Sequence, residues 1–330
     1  MAYPVERLQR NRQSPQIREF MKEIRLSPED LIMPLFIHEG RSESVEIPSM
    51  PGCYQHSLAN IVEEATHIAQ LGIPAVILFG IPTHKDNEGS SASDQEGVIQ
   101  QAIQMIKEQV PELLVIADCC CCEYTDHGHC GPLKDGELDH DATLARYQDI
   151  ALSYAKAGAD IIAPSGMMDG MVQAIRGKLD QDEFTHLPIL SYSVKYASAF
   201  YGPFRQAGGA GDVFTSDRAH HQMAITQSQE AFREAQLDED EGADMLMVKP
   251  AMSYLDIIHQ LKAQQRRPIL AYHVSGEYAM IKAAAAAGIV SEADAFEEQL
   301  IALKRAGAHK IITYYAKEYA QSYGSKKEQT

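Results

Sequence analysis

The sequence lacks the long apolar run that an integral membrane protein requires. Its apolar stretches all fall well short of the roughly 20 residues that span a bilayer. It is also poor in positive charge, with 29 Lys and Arg against 46 Asp and Glu and a formal net charge of −17. This balance argues against binding nucleic acid through a general basic face. We therefore expect neither a membrane nor a nucleic acid as a partner.

The N-terminus lacks the pattern of a secretory signal peptide, because Arg7, Arg10 and Arg12 interrupt any apolar stretch. The six cysteines also lack the spread of a disulfide framework, since four of them are consecutive. We expect a cytoplasmic protein with reduced thiols.

The sequence does contain a regular alternation of short apolar runs and longer amphipathic segments. Continuous apolar runs of this length are typical of strands buried on both faces of a parallel sheet. The alternation predicts an α/β fold, a (β/α)8 TIM barrel, with an open doubly wound sheet as the alternative. No Gly-x-Gly-x-x-Gly follows a strand, which favours the barrel. The predicted strands are Leu31–Ile37, Pro74–Gly80, Leu113–Cys119, Asp160–Ser165, Pro188–Ser193, Met245–Pro250, Pro268–Ser275 and Lys310–Ala316.

Amphipathic patterns predict helices between these strands. Gly158 and Gly242 each precede a predicted strand and can adopt the left-handed conformation that ends a helix. His220 and His221 are adjacent and would point apart on a helix, so we expect a solvated helix start rather than a metal site. The predicted helices are Ser57–Leu71, Gly97–Val110, Ala142–Ala157, Gln222–Glu241, Tyr254–Gln265 and Glu297–Ala306.

The chain divides into an N-terminal arm, residues 1–29, and a catalytic barrel, residues 30–330. The arm is basic and interrupted by prolines, so it is either a disordered tail or a segment that packs on an acidic neighbouring subunit. Gly208, Gly209 and Gly211 make the region around 203–220 glycine-rich. Because it follows the fifth strand, we expect it to be a mobile lid over the active site.

The cysteine cluster that follows the third strand predicts a metal site. If strand geometry continues, Cys120 and Cys122 point to one side, and a loop can return Cys130 to them. Three thiolates suit Zn²⁺, with His127 or His129 as a fourth ligand or with an open position for water or substrate. The alternative is a redox pair or a packed core.

Two lysines at predicted strand ends indicate carbonyl chemistry. Lys195 and Lys249 each follow an apolar strand, and strand carboxyl ends carry the active site of a barrel enzyme. A neutral lysine there can form a Schiff base, and burial beside a second ammonium lowers the pKa enough to make it neutral. A lysine at either position could instead be ion-paired or extend to solvent.

Four further side chains are candidates for substrate binding. Arg205 and Arg218 flank the glycine-rich region and could hold a carboxylate through bidentate contacts. Ser275 and Tyr314 end the seventh and eighth predicted strands and offer hydroxyl donors. Each of these residues alone also fits a solvated or packed side chain.

Several long motifs resemble the porphobilinogen synthase (5-aminolevulinate dehydratase) family. They are Ser191-Tyr-Ser-Val-Lys195, Phe200-Tyr-Gly-Pro-Phe-Arg205, Met247-Val-Lys-Pro250 and Val274-Ser-Gly-Glu-Tyr278. The cysteine segment 120–131 resembles the zinc-dependent branch of this family. The resemblance runs from the arm to the last strand and implies a (β/α)8 barrel assembled as a homo-octamer through the arm.

The resemblance also implies a reaction and a role for each residue. A lyase of this family condenses two molecules of 5-aminolevulinate with loss of two waters, which gives porphobilinogen for tetrapyrrole (heme) biosynthesis. Lys249 and Lys195 match the Schiff-base lysines for the first and second substrate. By the same match, Arg205 and Arg218 hold the carboxylate of the second substrate, and Ser275 and Tyr314 hold the carboxylate of the first. The implied zinc ligands are Cys120, Cys122 and Cys130. Glu234 matches a ligand of an allosteric Mg²⁺.

Two other classes of protein share part of this pattern. A lysine-dependent aldolase on the same barrel would need Lys249 but not the cysteines. A zinc-storage or redox-sensing protein would need the cysteines but not the lysines. Cys119 and Cys121 depart from the family pattern, and they add thiols that could make the enzyme sensitive to oxidation.

Overall fold

Eight parallel strands form the centre of the protein. The structure, a computed structural model, describes residues 2–208 and 218–328. The strands are β1 Leu31–His38, β2 Ala75–Ile81, β3 Leu114–Cys119, β4 Ile161–Pro164, β5 Leu190–Lys195, β6 Met245–Lys249, β7 Ile269–His273 and β8 Lys310–Thr313. Strands β1 to β4 pair in chain order, as do β5 to β8, and β8 pairs with β1. A parallel bridge between Ile162 and Ile189 joins β4 to β5. The predicted (β/α)8 barrel is confirmed.

Helices cover the outside of the barrel, which explains why the strands are apolar on both faces. Every residue of β2 and β5 is buried, as a parallel sheet inside a shell of helices requires. Shorter strands lie outside the barrel at Val45–Glu46, Tyr54–His56, Leu133–Lys134 and Glu137–Leu138. The helices are α1 Pro15–Phe20, α2 Leu58–Gln70, α3 Val98–Gln109, α4 His140–Ala157, α5 Met171–Gln181, α6 Gly202–Ala207, α7 Gln229–Glu241, α8 Leu255–Gln264, α9 Ser275–Ala286, α10 Glu292–Ala306 and α11 Ala316–Glu328.

The helix ends follow the predicted glycine signals. Gly158 and Gly242 end α4 and α7 with φ values of 98° and 109°, in the left-handed region. The backbone N–H of each glycine donates to carbonyls of the last helical turn, which closes the helix before the next strand.

Four local predictions were wrong. Tyr314 does not end a strand, because β8 stops at Thr313. Ser275 does not end a strand, because β7 stops at His273 and Ser275 is the first residue of α9. Helix α7 begins at Gln229 rather than Gln222, since a turn and a loop precede it. His221 is half-buried rather than solvated, and burial lowers its pKa to about 4.

The N-terminal arm presents apolar side chains to solvent. It holds a 3-10 turn at Leu8–Arg12 and α1, and Tyr3 and Phe20 are 77% and 84% exposed. Of the predicted lid around 203–220, residues 209–217 lie outside the described residues. Within the described chain, no helix has the length and apolar character needed to cross a bilayer.

Candidate active site

Two lysines stand side by side where the carboxyl ends of the strands meet. Lys195 is the last residue of β5, Lys249 is the last residue of β6, and the two are paired in register on these neighbouring strands. Their exposed fractions are only 5% and 6%. Lys195 Nζ donates a 2.5 Å hydrogen bond to the carbonyl oxygen of Ser165, just after β4. The structure thus places both lysines at the end of the barrel that carries active sites.

The Lys249 amine lies among aromatic rings. Its Nζ is 4.3 Å from the ring centroid of Tyr272, 5.0 Å from that of Tyr192 and 5.1 Å from that of Phe204. Burial, and then the charge of Lys195, lower the pKa of Lys249 to about 7. A large share of Lys249 is therefore neutral near pH 7, and the neutral amine is the nucleophile.

Acidic and hydroxyl groups complete the surroundings of the lysines. Ser165 Oγ donates a 3.0 Å hydrogen bond to Asp118 Oδ2, and burial raises the pKa of Asp118 to about 8. Burial also raises the pKa of Glu123, whose Oε2 accepts a 3.1 Å hydrogen bond from the Cys122 thiol. None of these three oxygen-bearing residues is among those predicted from the sequence. Asp118 and Ser165 do lie at strand ends, which is the signal that would have identified them.

Three cysteines converge beside the lysines. The sulfur atoms of Cys120, Cys122 and Cys130 all lie within 4.8 Å of one another, and those of Cys120 and Cys122 are 3.3 Å apart. Cys120 and Cys130 are buried and Cys122 is half-buried. Hydrogen bonds from Cys120 and Cys122 hold the pKa of Cys130 well below its ordinary value. These thiols can hold a metal ion.

The other two cysteines of the run lie outside this group. Cys119 and Cys121 are fully buried, and Cys119 Sγ points instead to the carbonyl oxygen of Tyr147 at 3.7 Å. Burial raises the pKa of both thiols well above the ordinary value. The separation of the four consecutive cysteines into two pairs agrees with the predicted alternation.

Neither nearby histidine joins the three thiols in the described part of the chain. His127 Nδ1 accepts a 3.1 Å hydrogen bond from the backbone N–H of His129, and its Nε2 lies 3.3 Å from the carbonyl oxygen of Asn87. Both ring nitrogens of His127 are thus engaged elsewhere. This arrangement favours a site with three protein ligands and an open fourth position.

The two predicted arginines, which precede and follow the three glycines in the sequence, lie at the same cavity as the lysines. Both Arg205, on α6, and Arg218 are half-buried. Arg218 Nη2 donates a 2.8 Å hydrogen bond to the carbonyl oxygen of Gly128, within the loop that joins Cys122 to Cys130. Arg218 thereby contacts both the cysteine loop and the cavity that the two lysines line.

The two lysines, the two arginines and Cys122 line one small cavity. It measures about 20 Å³, and its walls include Lys195, Lys249, Arg205, Arg218, Cys122 and Asp118. Since one water needs about 10–15 Å³, a space of about 20 Å³ is too small for an organic substrate. A larger substrate must displace part of the wall, to which Phe204 also contributes.

Ser275 and Tyr314 lie behind this cavity rather than on its wall. Ser275 Oγ accepts a 3.0 Å hydrogen bond from the backbone N–H of Phe204 and lies 3.4 Å from the carbonyl oxygen of Phe200. The Tyr314 hydroxyl lies 3.1 Å from that of Tyr272. Each therefore contacts a residue whose ring lies near the Lys249 amine, Phe204 for Ser275 and Tyr272 for Tyr314.

Glu234 lies on α7, away from the lysines. It lines a separate cavity of about 510 Å³ together with Asp169 and Glu230. Burial, and then the nearby carboxylates of Asp238 and Asp169, raise the pKa of Glu234 to about 7. The structure therefore shows a crowded group of acidic side chains here.

Comparisons with known proteins are consistent over nearly the whole chain. The family model described as Delta-aminolevulinic acid dehydratase matches residues 5–322. The protein of that name from Halalkalibacterium halodurans is 52% identical over 316 residues, which cover 96% of each chain. The one from Bacillus subtilis is 49% identical over 321 residues, covering 97% of this chain and 99% of its own.

A solved structure agrees with these sequence matches. It is delta-aminolevulinic acid dehydratase (porphobilinogen synthase) from Toxoplasma gondii ME49 in complex with the reaction product porphobilinogen. Its TM-score is 0.93 at 42% identity, and the match covers 96% of this chain and 91% of that one. On the agreement of sequence and fold, this chain belongs to the delta-aminolevulinic acid dehydratase family.

Proposed function

We propose that this site joins two molecules of 5-aminolevulinate into porphobilinogen through a Schiff base on Lys249. The protein is a lyase, as its family membership establishes. The observation that carries the proposed mechanism is the register pairing of Lys195 and Lys249 beside the three thiols. An aldolase would not need the thiols, and a zinc-storage or redox protein would not need the paired lysines.

Lys249 is the residue best suited to attack the ketone of the first substrate. Its neutral amine adds to the carbonyl carbon, water leaves, and the resulting imine withdraws electrons so that an α proton can be removed. Lys195 would form the corresponding bond with the second substrate. Asp118, with its pKa near 8, can exchange protons close to both amines at neutral pH.

Charged and hydroxyl side chains would orient the two substrates. Arg205 and Arg218 present guanidinium groups to the cavity and suit the carboxylate of the second substrate. Ser275 and Tyr314, behind Phe204 and Tyr272, suit the carboxylate of the first once the site opens. The two carboxylates would then lie on opposite sides of the lysine pair.

Cys120, Cys122 and Cys130 would hold a catalytic Zn²⁺. Three clustered sulfur donors suit zinc, and magnesium prefers oxygen ligands. When bound, zinc would supply a Lewis acid that polarises a carbonyl or activates water.

We also propose an allosteric Mg²⁺ at Glu234 and a homo-octamer formed through the N-terminal arm. The acidic cavity around Glu234 offers the oxygen ligands that Mg²⁺ prefers. The exposed apolar side chains of the basic arm suit burial against an acidic neighbouring subunit. A cytoplasmic location agrees with the free cysteines.

The direct test is to incubate the purified protein with 5-aminolevulinate, zinc and a reductant and to measure pyrrole formation. We expect pyrrole with the protein and none with Lys249→Met. Reduction of the reaction mixture with borohydride should attach substrate to Lys249. Absence of pyrrole from the native protein under these conditions would refute the proposal.

A further inference from the structure

Glu277 is a buried carboxylate that the proposed reaction does not use. It is the third residue of α9, and its exposed fraction is 2%. Its Oε2 accepts a 2.8 Å hydrogen bond from the backbone N–H of Val274, and its Oε1 accepts one of 2.8 Å from that of Met252. Both carboxylate oxygens are therefore engaged with backbone.

The Val274 bond caps the start of α9, and the Met252 bond joins α9 to the segment that follows the neighbouring strand β6. Met252 lies three residues after Lys249, and Val274 immediately precedes Ser275. A single carboxylate thus links the segment after the Schiff-base lysine to the segment that carries a proposed carboxylate-binding hydroxyl. Burial raises the pKa of Glu277 to about 7, and the backbone N–H groups around it oppose that rise.

The start of α9 is held firmly from its other side. A Cβ atom at Gly276 would lie 2.5 Å from the carbonyl oxygen of Phe200, so the helix and this segment are in close backbone contact. Ser275 Oγ also accepts a hydrogen bond from the backbone N–H of Phe204. The Glu277 bridge thus connects the segment after Lys249 to a helix start that is itself in close contact with the Phe200–Phe204 segment.

We infer that Glu277 is a positioning residue that sets the separation between the Lys249 amine and the Ser275 hydroxyl, and so selects the chain length of the keto acid. This inference rests on the proposed function, in which Lys249 takes the ketone and Ser275 the carboxylate of one substrate. In 5-aminolevulinate two methylene groups separate these functions. Weakening the hydrogen bond between Glu277 and Met252 would therefore relax the preference for a two-methylene spacing, while the Lys249 amine would remain.

The test is borohydride trapping of Lys249 by three ketones. 4-Oxopentanoate has the substrate's spacing, 5-oxohexanoate is one methylene longer, and 2-pentanone lacks the carboxylate. In each case the amine nitrogen adds to the carbonyl carbon, water leaves, and borohydride supplies the hydride that reduces the imine. Peptide mapping by mass spectrometry reports the rate of labelling at Lys249.

In the native protein we expect 4-oxopentanoate to label Lys249 fastest. Glu277→Gln keeps one acceptor oxygen and places an amide N–H₂ against the other backbone N–H, so one of the two links is lost. We expect trapping of 4-oxopentanoate to fall about 10- to 100-fold, as small misplacements near a reacting group do. Its advantage over 5-oxohexanoate should shrink, while trapping by 2-pentanone should change little.

A matched control lies at the other end of β6. Asp244 Oδ2 accepts a 2.9 Å hydrogen bond from the backbone N–H of Ile189, so Asp244→Asn also alters a carboxylate that links neighbouring strands. We expect this variant to keep the native order of the ketones.

Equal slowing of all three ketones in Glu277→Gln would show a general structural role and overturn the inference. Unchanged selectivity would overturn it as well. Failure of all three ketones to label Lys249 in the native protein would instead refute the Schiff-base assignment, and the inference would fall with it.

Discussion

Lys195 and Lys249 are register partners on adjacent parallel strands, and each ends its strand. This arrangement brings two buried ammonium groups to one wall of the cavity. Burial is the larger cause of the lowered pKa of Lys249, and Lys195 is the next. The position of Lys195 beside Lys249 therefore favours the neutral, nucleophilic form of the Lys249 amine.

Removal of the Lys195 charge should shift the pH dependence of trapping at Lys249 to higher pH. In the native protein the neutral amine predominates above about pH 7 and is lost as the pH falls through that value. In Lys195→Gln the charged form of Lys249 is less disfavoured, so its pKa rises and less amine is neutral at pH 7. Borohydride labelling with 4-oxopentanoate across pH 5–9 measures this shift.

Lys107→Gln provides the control, because Lys107 pairs with Asp160 at 2.9 Å outside the lysine cavity. Its labelling profile should match that of the native protein. A native profile in Lys195→Gln would contradict the electrostatic coupling.

Zinc content should depend on three of the cysteines. Replacement of Cys122 or Cys130 by Ala removes one of the three converging sulfur atoms, so we expect loss of bound zinc after dialysis against a weak chelator. Cys53→Ala also replaces a buried cysteine, but outside this cluster, and should retain zinc. Elemental analysis by mass spectrometry measures the zinc bound per chain. Full zinc occupancy in Cys130→Ala would contradict the assignment.

Arg205 should affect the second substrate without affecting imine formation by the first. A hydrogen bond to a charged group contributes about 1.5–3 kcal/mol, so Arg205→Ala should raise KM by about 10- to 100-fold. Steady-state kinetics of pyrrole formation measure this change. Labelling of Lys249 by 4-oxopentanoate should stay near the native rate, and a comparable fall in labelling would show that Arg205 acts on the first substrate.

Glu234 should carry any response to Mg²⁺. Replacement by Gln removes a carboxylate from the acidic cavity, so the ratio of rates with and without Mg²⁺ should fall to about one. Glu239→Gln alters a carboxylate on the same helix that lies near Arg267 at 3.5 Å, and it should respond as the native protein does. An unchanged Mg²⁺ response in Glu234→Gln would exclude this residue as a ligand.

The barrel could be predicted because its strands are buried on both faces and are therefore continuous apolar runs. The lysines could be predicted because they interrupt such runs at the strand ends. The start of α9 could not be predicted, since the sequence from Tyr272 to Ser275 continues the apolar pattern of the strand. Only the tertiary contacts of Ser275 with the Phe200–Phe204 segment show that the strand has ended and the helix has begun. The bridge made by Glu277 joins segments 25 residues apart, and no local pattern reveals a hydrogen bond of that kind.

A neutral amine in a cell is exposed to every reactive aldehyde that can reach it. Lys249 has the pKa of such an amine, yet it faces a space of about 20 Å³ with Phe204 close by. With a cavity of about 20 Å³, a carbonyl compound larger than a water can reach the nitrogen only by displacing part of the wall. A wall of this kind would protect the nucleophile from adventitious modification, and the proposed substrate would overcome the same barrier through its own binding contacts.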